Sequence, residues 1–392
     1  MRIFICTGEV SGDLQGAMLI QALQRQAQSH NQTLEVVGVG GDRMAATGAT
    51  ILGNTTALSS IGFLEAVPFI FPTLRLQRRI KKYLAENPPD IFVAIDYPGF
   101  NLTLGQELRR QYPDLPIIYY IAPQDWVWQD WKLSSVFGHT ERMTATISRL
   151  LAIFPEEARF FEKHDFPVTW VGHPIADRLV NPPQRETARQ ALGIDDSELA
   201  IALIPASRPQ EITYILPIIA QAAQTLQAKL PHARFWIPLS LERYRPQIEA
   251  ICRRYQLNAQ IFTGNSLELL AATDLAIAKS GTVNLELALL NVPQVVVYRV
   301  SGLTAWLAKR LQFNIPFMSP PNLVMMQGIV PELLQDEATP ERIVAESLEF
   351  LLNPHRREKL TADYEKMRQG LGESGACDRA AQAILAEVDM FR

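Results

Sequence analysis

Five short stretches carry side chains able to do chemistry, and each follows an apolar run. The first is TGEVSGD, Thr7 to Asp13. Gly8 and Gly12 allow tight backbone geometry. Ser11 or Asp13 can cap a following helix and leave N–H groups facing a ligand. The run is not GxGxxG, and Glu9 is a poor neighbour for a pyrophosphate. Carboxylates here suit sugar hydroxyls, although a plain capped turn accounts for the same residues. In AIDYPGFN, Asp96 ends an apolar strand, Pro98 and Gly99 force a turn, and Asn101 follows. A carboxylate at that place can take a proton from an attacking hydroxyl. It can equally cap the next helix. APQDWVWQDW puts three tryptophans in six residues, Trp126 first among them. They offer a platform for a sugar ring, or core packing.

The second half carries two stretches suited to phosphate. IPASRPQEI sets Ser207 and Arg208 just past a strand, with Glu211 soon after. Arginine brings a forked, permanent charge. AKSGTVNLELALL, from Lys279, holds the turn Ser280, Gly281, Thr282 before a helix. Ser280 can cap that helix, its first N–H groups can receive a diphosphate, and Glu286 can accept both ribose hydroxyls. A well-capped strand-to-helix unit with a solvated Glu286 is the plain alternative.

Two further stretches set apolar side chains beside cations. One joins Phe69, Ile70 and Phe71 to Arg75, Arg78, Arg79, Lys81 and Lys82. The other joins Trp306 to Lys309 and Arg310. Both suit an interfacial segment on anionic lipid. A helix with a buried core face and a solvated basic face has the same pattern.

The elements that must position these residues alternate. RIFIC, LEVVGVG, DIFVAID and PIIYYIA are expected strands, with helices at Leu14 to Gln28 and Leu74 to Glu86 between them. LLAIFPEEARFFEK and VTWVGHP close the first half, and a proline-bearing connector runs from Pro174 to Gln184. LAIALIPASR, ARFWIPLS, AQIFTG, LAIAKSGT and QVVVYR then repeat the pattern. The expected fold is α/β: two facing doubly wound parallel-sheet domains, 1–173 and 174–340, whose ligands sit at the carboxyl ends of strands. A helical segment, 341–392, is expected to pack across them.

Composition narrows the class. The 392 residues are 47% hydrophobic and 20% charged, which is globular. A net charge of −4 argues against a general polyanion binder, nucleic acid included. Cys6, Cys252 and Cys377 are far apart, so reduced thiols in a cytoplasmic protein are expected, with no disulfide frame and no zinc site. Neither a signal peptide nor an apolar run of about 18 residues is seen. A soluble or peripheral protein is expected.

Taken in order, TGEVSGD, IDYPGFN, the tryptophan-rich loop, VGHP, SGTVNLE, and PNL followed by VPELLQ resemble the lipid-A-disaccharide synthase family over nearly the whole chain. The resemblance implies the two-domain glycosyltransferase fold called GT-B. It also implies transfer of a diacylated glucosamine from UDP-2,3-diacylglucosamine to 2,3-diacylglucosamine 1-phosphate, inverting the donor carbon and forming a β-1,6 disaccharide. A peripheral place on the cytoplasmic face of a Gram-negative inner membrane follows. No metal or cofactor is implied, and the resemblance leaves room for a homodimer. By position, Asp96 matches the catalytic carboxylate. Glu9, Ser11, Gly12 and Asp13, with Asn101 and Trp126, fall on the acceptor side. Ser207, Arg208, Glu211, Ser280, Gly281, Thr282, Glu286 and Asn322 fall where the family binds UDP. The sequence departs from the pattern at Ala206, a usual Gly, at Gly99, often a second Asp, and at Met326–Gln327, often Gly–Arg.

The expected mechanism is a single displacement. Asp96 takes the acceptor proton, while Arg208 and the helix start at Ser280 absorb the charge of departing UDP. Two other classes remain open at this level. One is an isomerase like UDP-N-acetylglucosamine 2-epimerase, which needs further acid/base groups and no lipid surface. The other is a non-catalytic sugar-nucleotide or lipid binder, which has no use for Asp96.

Overall fold

The computed structural model describes residues 1–55, 70–128, 139–205, 209–302, 306, 310 and 316–391. In chain order the elements begin β1 (Arg2–Cys6), α1 (Val10–Ser29), β2 (Glu35–Gly40), α2 (Asp42–Ala46), β3 (Thr50–Asn54), α3 (Ile70–Glu86), β4 (Ile91–Ile95) and α4 (Pro98–Gln111). There follow β5 (Ile117–Tyr120), α5 (Thr140–Thr144), β6 (Arg149–Ala152), α6 (Pro155–Glu162), β7 (Val168–Trp170) and α7 (Ile175–Arg178). Next come α8 (Arg185–Leu192), β8 (Leu199–Ile204), α9 (Pro209–Tyr214), α10 (Leu216–Lys229), β9 (Ala233–Pro238), α11 (Arg245–Arg254), β10 (Ala259–Phe262) and α12 (Ser266–Ala272). The chain finishes with β11 (Leu275–Lys279), α13 (Val283–Leu289), β12 (Gln294–Tyr298), α14 (Pro320–Met325), β13 (Glu332–Leu334), α15 (Pro340–Leu352), α16 (Pro354–Leu371) and α17 (Ala376–Phe391).

Two compact units result. The first holds the described residues up to 177 together with 371–391, and the second those from 178 to 370. Both are parallel sheets flanked by helices, the doubly wound α/β architecture that the sequence implies. In the first unit the strand order is β3-β2-β1-β4-β5-β6-β7. The chain moves outward from β1 to β3, then returns beside β1 with β4. Strands such as IFVAI are apolar at every position because helices cover both faces. Ile3, Phe4, Ile5, Phe92, Val93 and Ile95 are fully buried. Each such side chain contributes about 1.5–3 kcal/mol. Cys6 pairs in register with Ala94, so the loops after β1 and β4 emerge side by side.

The second unit has the order β10-β9-β8-β11-β12-β13. Its reversal lies between β8 and β11, which pair from Leu275↔Ile201 to Ala278↔Ile204. Open α/β sheets bind ligands at such reversals, outside the carboxyl ends of the strands. The order of strands therefore selects two loop pairs: Thr7–Asp13 with Asp96–Asn101, and the segment after β8 with Lys279–Thr282.

The C-terminal helices are divided between the units. In α16 the Tyr364 hydroxyl accepts from Gln294 at 3.0 Å and donates to the Val292 carbonyl at 3.2 Å. α17 packs along α1, with Arg25–Asp378 at 2.8 Å, and is tied to β6 by Arg149–Glu387 at 2.7 Å. Asp177 caps the start of α17, accepting from the N–H groups of Gly375, Ala376 and Cys377 at 2.5–2.9 Å. Cys6, Cys252 and Cys377 are free thiols.

Candidate functional site

At the reversal of the first sheet the backbone is strained around Asp96. Asp96 and Tyr97 both sit in the left-handed region, at φ 48° and 52°, and so does Ile121, at φ 59°. Such conformations cost of order 1–3 kcal/mol each and persist only when neighbours impose them. Here the neighbours are visible. The Asp96 N–H donates to the Ile121 carbonyl at 3.1 Å, and the Tyr119 hydroxyl donates to the Asp96 carbonyl at 2.7 Å. Asn101 donates from Nδ2 to the carbonyls of Asp96 (2.6 Å), Cys6 (3.2 Å) and Ile95 (3.2 Å). Asn101 is only 1% exposed. Expected among acceptor contacts, it instead braces the ends of β1 and β4. Burial first, then the Asp96 carboxylate, pushes the Tyr119 hydroxyl well above its ordinary pKa, so it stays a donor.

The Thr7–Asp13 loop lies against this turn. A Cβ on Gly8 would fall inside the Tyr97 ring, and one on Gly12 would meet the Thr7 hydroxyl. Helix α1 starts at Val10, with Glu9 in the capping position but no side-chain cap bond. Ser11 therefore lies in the first turn and does not cap. Asp13, also expected as a cap or ligand contact, is buried. Its carboxylate accepts from the N–H groups of Gly41, Arg43 and Met44 at 2.8–3.1 Å, binding α1 to the start of α2. Glu9 is half-buried.

Trp126 departs from the platform expectation. It is 1% exposed and packs on Phe154 at 5.8 Å between ring centres, and Phe154 packs on His173 at 5.4 Å. This aromatic row crosses the carboxyl ends of β5, β6 and β7. Beneath it Glu157 is buried and accepts from the Ile153 N–H at 2.9 Å. Burial pushes the Glu157 carboxyl up to about 8, with the nearby Asp125 adding to the rise. Burial also lowers His173 to about 3, so its imidazole is neutral and Nδ1 accepts from the Ile175 N–H.

At the reversal of the second sheet, Ser280 does not cap the following helix. Its hydroxyl donates to the Met318 carbonyl at 2.6 Å. Helix α13 begins at Val283 behind Thr282, and the Gly281 N–H donates to Asn284 Oδ1 at 2.7 Å. Glu286 is buried and ion-paired with Arg178. Glu211 is buried beside Lys279, 3.7 Å away. Asn322 is a brace: Nδ2 donates to Glu332 (2.6 Å) and to the Val330 carbonyl (3.0 Å), and Oδ1 accepts from Ile329 and Val330. Glu332 in turn accepts from the Met318 and Ser319 N–H groups at 2.8 Å. Ser280, Met318, Glu332 and Asn322 thus form one connected network. Ser207 and Arg208 lie outside the described residues.

Two reversal-point sites on two parallel sheets fit several sugar-nucleotide enzymes, and comparison separates them. The sequence model of the lipid-A-disaccharide synthetase family matches residues 3–387. The chain belongs to that family. It is 58% identical over 386 residues to a lipid-A-disaccharide synthase of Gloeothece citriformis, covering 98% of this chain and 99% of that one. It is 54% identical over 388 residues to the synthase of a Synechocystis species, covering 98% and 97%. Among solved structures, the UDP-GlcNAc 2-epimerase of Neisseria meningitidis bound to UDP-GlcNAc superposes with a TM-score of 0.64 over all of both chains, at 14% identity. That likeness is one of fold, and the fold is GT-B-like. Membership of the lipid-A-disaccharide synthetase family makes the chain a glycosyltransferase.

Several residues near the two reversal points, each within its own unit, were not singled out from sequence. Tyr97, Tyr119, Arg178 and Glu332 find their partners across the fold, and no local spacing marks them. Glu157 does carry a local signal, as an acid in the first turn after the helix-starting Pro155. Among the described residues, no three or more His, Cys, Asp or Glu are grouped to hold a metal ion.

The lipid-facing expectations fall partly on described residues. Phe69 lies outside them, as does the side chain of Ile70. In α3, Gln77, Ile80 and Leu84 face inward at helical spacing, whereas Phe71 is 83% exposed. Arg75, Arg78, Arg79 and Lys82 are exposed, and Lys81 pairs with Glu107 at 3.3 Å. Trp306 is 61% exposed, and Arg310 is exposed. No helix among the described residues is long and apolar enough to cross a membrane.

Proposed function

We propose that this chain joins two lipid A precursors. The donor is UDP-2,3-diacylglucosamine, the acceptor is 2,3-diacylglucosamine 1-phosphate, and the products are UDP and a β-1,6-linked disaccharide with inversion at the donor carbon. The observation that carries the reading is the strained, braced turn at Asp96, at the reversal of the first sheet in a glycosyltransferase-family chain. Strain of this kind gathers at functional sites, where it fixes a side chain's direction.

In this reading Asp96 takes the proton of the acceptor's primary hydroxyl as that oxygen attacks the anomeric carbon. Asn101 and Tyr119 hold Asp96 through its carbonyl. Glu9, Ser11 and Gly12 meet acceptor hydroxyls, Asp13 anchors their loop, and Trp126 supports the neighbouring loop from within. On the donor side, Ser207, Arg208, Glu211, Ser280, Gly281, Thr282 and Glu286 receive UDP, and Asn322 holds the adjoining 328–330 loop. The protein works at the cytoplasmic face of the inner membrane, with Phe71, Trp306 and the α3 cations toward the lipid and Phe69 and Ile70 beside them. The exposure of Phe71, Trp306, Arg75, Arg78, Arg79 and Lys82 supports this.

The deciding experiment supplies purified protein with both acylated substrates and follows UDP release and disaccharide. A second incubation with UDP-N-acetylglucosamine alone looks for a 2-epimer. Disaccharide without epimer is the expected result. Epimer without disaccharide overturns the reading.

A further inference from the structure

We infer that Lys279 is a further cation, besides Arg208, that meets the phosphates of the bound nucleoside diphosphate; this rests on the donor-side reading above. Two donors of the turn after β11 are already engaged within the protein. The Ser280 hydroxyl is bonded to the Met318 carbonyl, and the Gly281 N–H to Asn284 Oδ1. Helix α13 is seven residues long, too short to build much charge at its start. What stands beside the turn is an ammonium group. A Cβ built on Gly281 would lie 2.5 Å from Lys279 Nζ and 3.2 Å from its Cε. The lysine therefore folds forward over the turn, where a Cβ at position 281 would push its ammonium aside.

The burial of this lysine calls for a reason. Its side chain is 12% exposed, and that of Glu211, 3.7 Å away, is 6% exposed. Removing two charges from water costs several kcal/mol per ion, and an ion pair at this separation is weak evidence for stability. At the sheet's reversal, where ligands sit, the same pair makes chemical sense. Glu211 holds the ammonium beside the turn, and a diphosphate arriving over Gly281 meets Nζ there. A second cation, Arg178, is engaged by Glu286. As the glycosyl bond breaks, charge grows on the departing diphosphate, and a fixed ammonium in a poorly hydrated place stabilises it.

The test compares UDP, followed by calorimetry, with uridine, followed by ligand-observed NMR. Lys279→Met is expected to weaken UDP roughly 10- to 100-fold and to leave uridine unchanged. Lys279→Arg keeps most of the UDP affinity. Should Lys279→Met fail to fold because Glu211 is left buried without a counter-charge, Lys279→Met/Glu211→Gln removes both charges, and the ratio of UDP to uridine affinity is read there. An unchanged ratio, or an equal loss for both ligands, overturns the inference while the donor-side reading stands. Wild-type protein that binds no UDP overturns both.

Discussion

Asn101 Nδ2 lies 2.6 Å from the carbonyl oxygen of Asp96 and holds that residue in a left-handed conformation at φ 48°. The geometry separates two roles that the sequence motif merges. Asp96 is the proposed base, and Asn101 fixes the backbone that carries it.

Asp96→Asn should therefore lower turnover by about 10²–10⁴-fold and leave UDP affinity unchanged. Steady-state kinetics and calorimetry on one preparation check both halves. Turnover near wild type would remove Asp96 from the role of base.

Asn101→Leu should lower turnover and stability together. It takes a donor from three backbone carbonyls in the interior, of which that of Asp96 keeps the Tyr119 hydroxyl, and each group left unpaired costs about 1–3 kcal/mol. A thermal melt shifted downward with turnover unchanged would show that the brace serves the fold alone.

Gly8→Ala tests the approach of the two loops. The added methyl falls inside the Tyr97 ring, so the ring or the loop must move. Overpacking of this kind typically costs about 1–3 kcal/mol. The displaced Tyr97 adjoins Asp96, so kcat should fall more than UDP affinity. An alanine variant with wild-type kcat would show that the close packing has no bearing on the reaction.

The sheets were legible because buried parallel strands are apolar at every position, as in RIFIC and IFVAI, and because turn residues bound them. Asp96 could be placed from its strand alone. What could not be read were side chains whose partners lie far along the chain. Ser280 looks like a helix cap until Met318, 38 residues on, takes its hydroxyl. Asp13 looks like a ligand contact until the start of α2, about 30 residues on, supplies three N–H groups. Trp126 has the same letter in a platform and in a core, and only Phe154 behind it decides between them. Local chemistry names candidates, and tertiary contacts assign them.

Glu157 should make stability fall as pH rises. Its folded pKa, about 8, lies above the ordinary carboxylate value of 4.5, so the fold holds a proton that the unfolded chain has released. Between those values the unfolded state binds fewer protons, and stability drops by up to about 1.4 kcal/mol per pH unit. Glu157→Gln keeps an acceptor for the Ile153 N–H and removes the titration. The variant should gain in melting temperature over wild type between pH 6 and 8, and the gain should grow with pH. Parallel melting curves across that window would show that Glu157 does not titrate there.

The exposed face of α3 makes the last prediction. An amphipathic helix on a sheet hides its large apolar side chains, and α3 does so with Ile80 and Leu84. Phe71 breaks the rule at 83% exposed, with Leu74 at 45% beside it. Arg75, Arg78, Arg79 and Lys82 stand exposed along the same helix, whereas Lys81 is partly neutralised by Glu107. Near an anionic surface each cation adds about 1 kcal/mol, and Phe71 adds its own burial in the headgroup layer. Co-sedimentation with vesicles should therefore rise with the fraction of anionic lipid and fall as added salt screens the charge. Phe71→Ser should weaken binding at every lipid composition, since insertion does not depend on charge. Arg75→Gln with Arg78→Gln should weaken it on anionic vesicles alone. Because these side chains face solvent, neither change should shift the melting temperature. If the folded wild-type protein ignores anionic vesicles at low salt, the helix is not a membrane-binding surface, and the acylated substrates must reach the protein by another route.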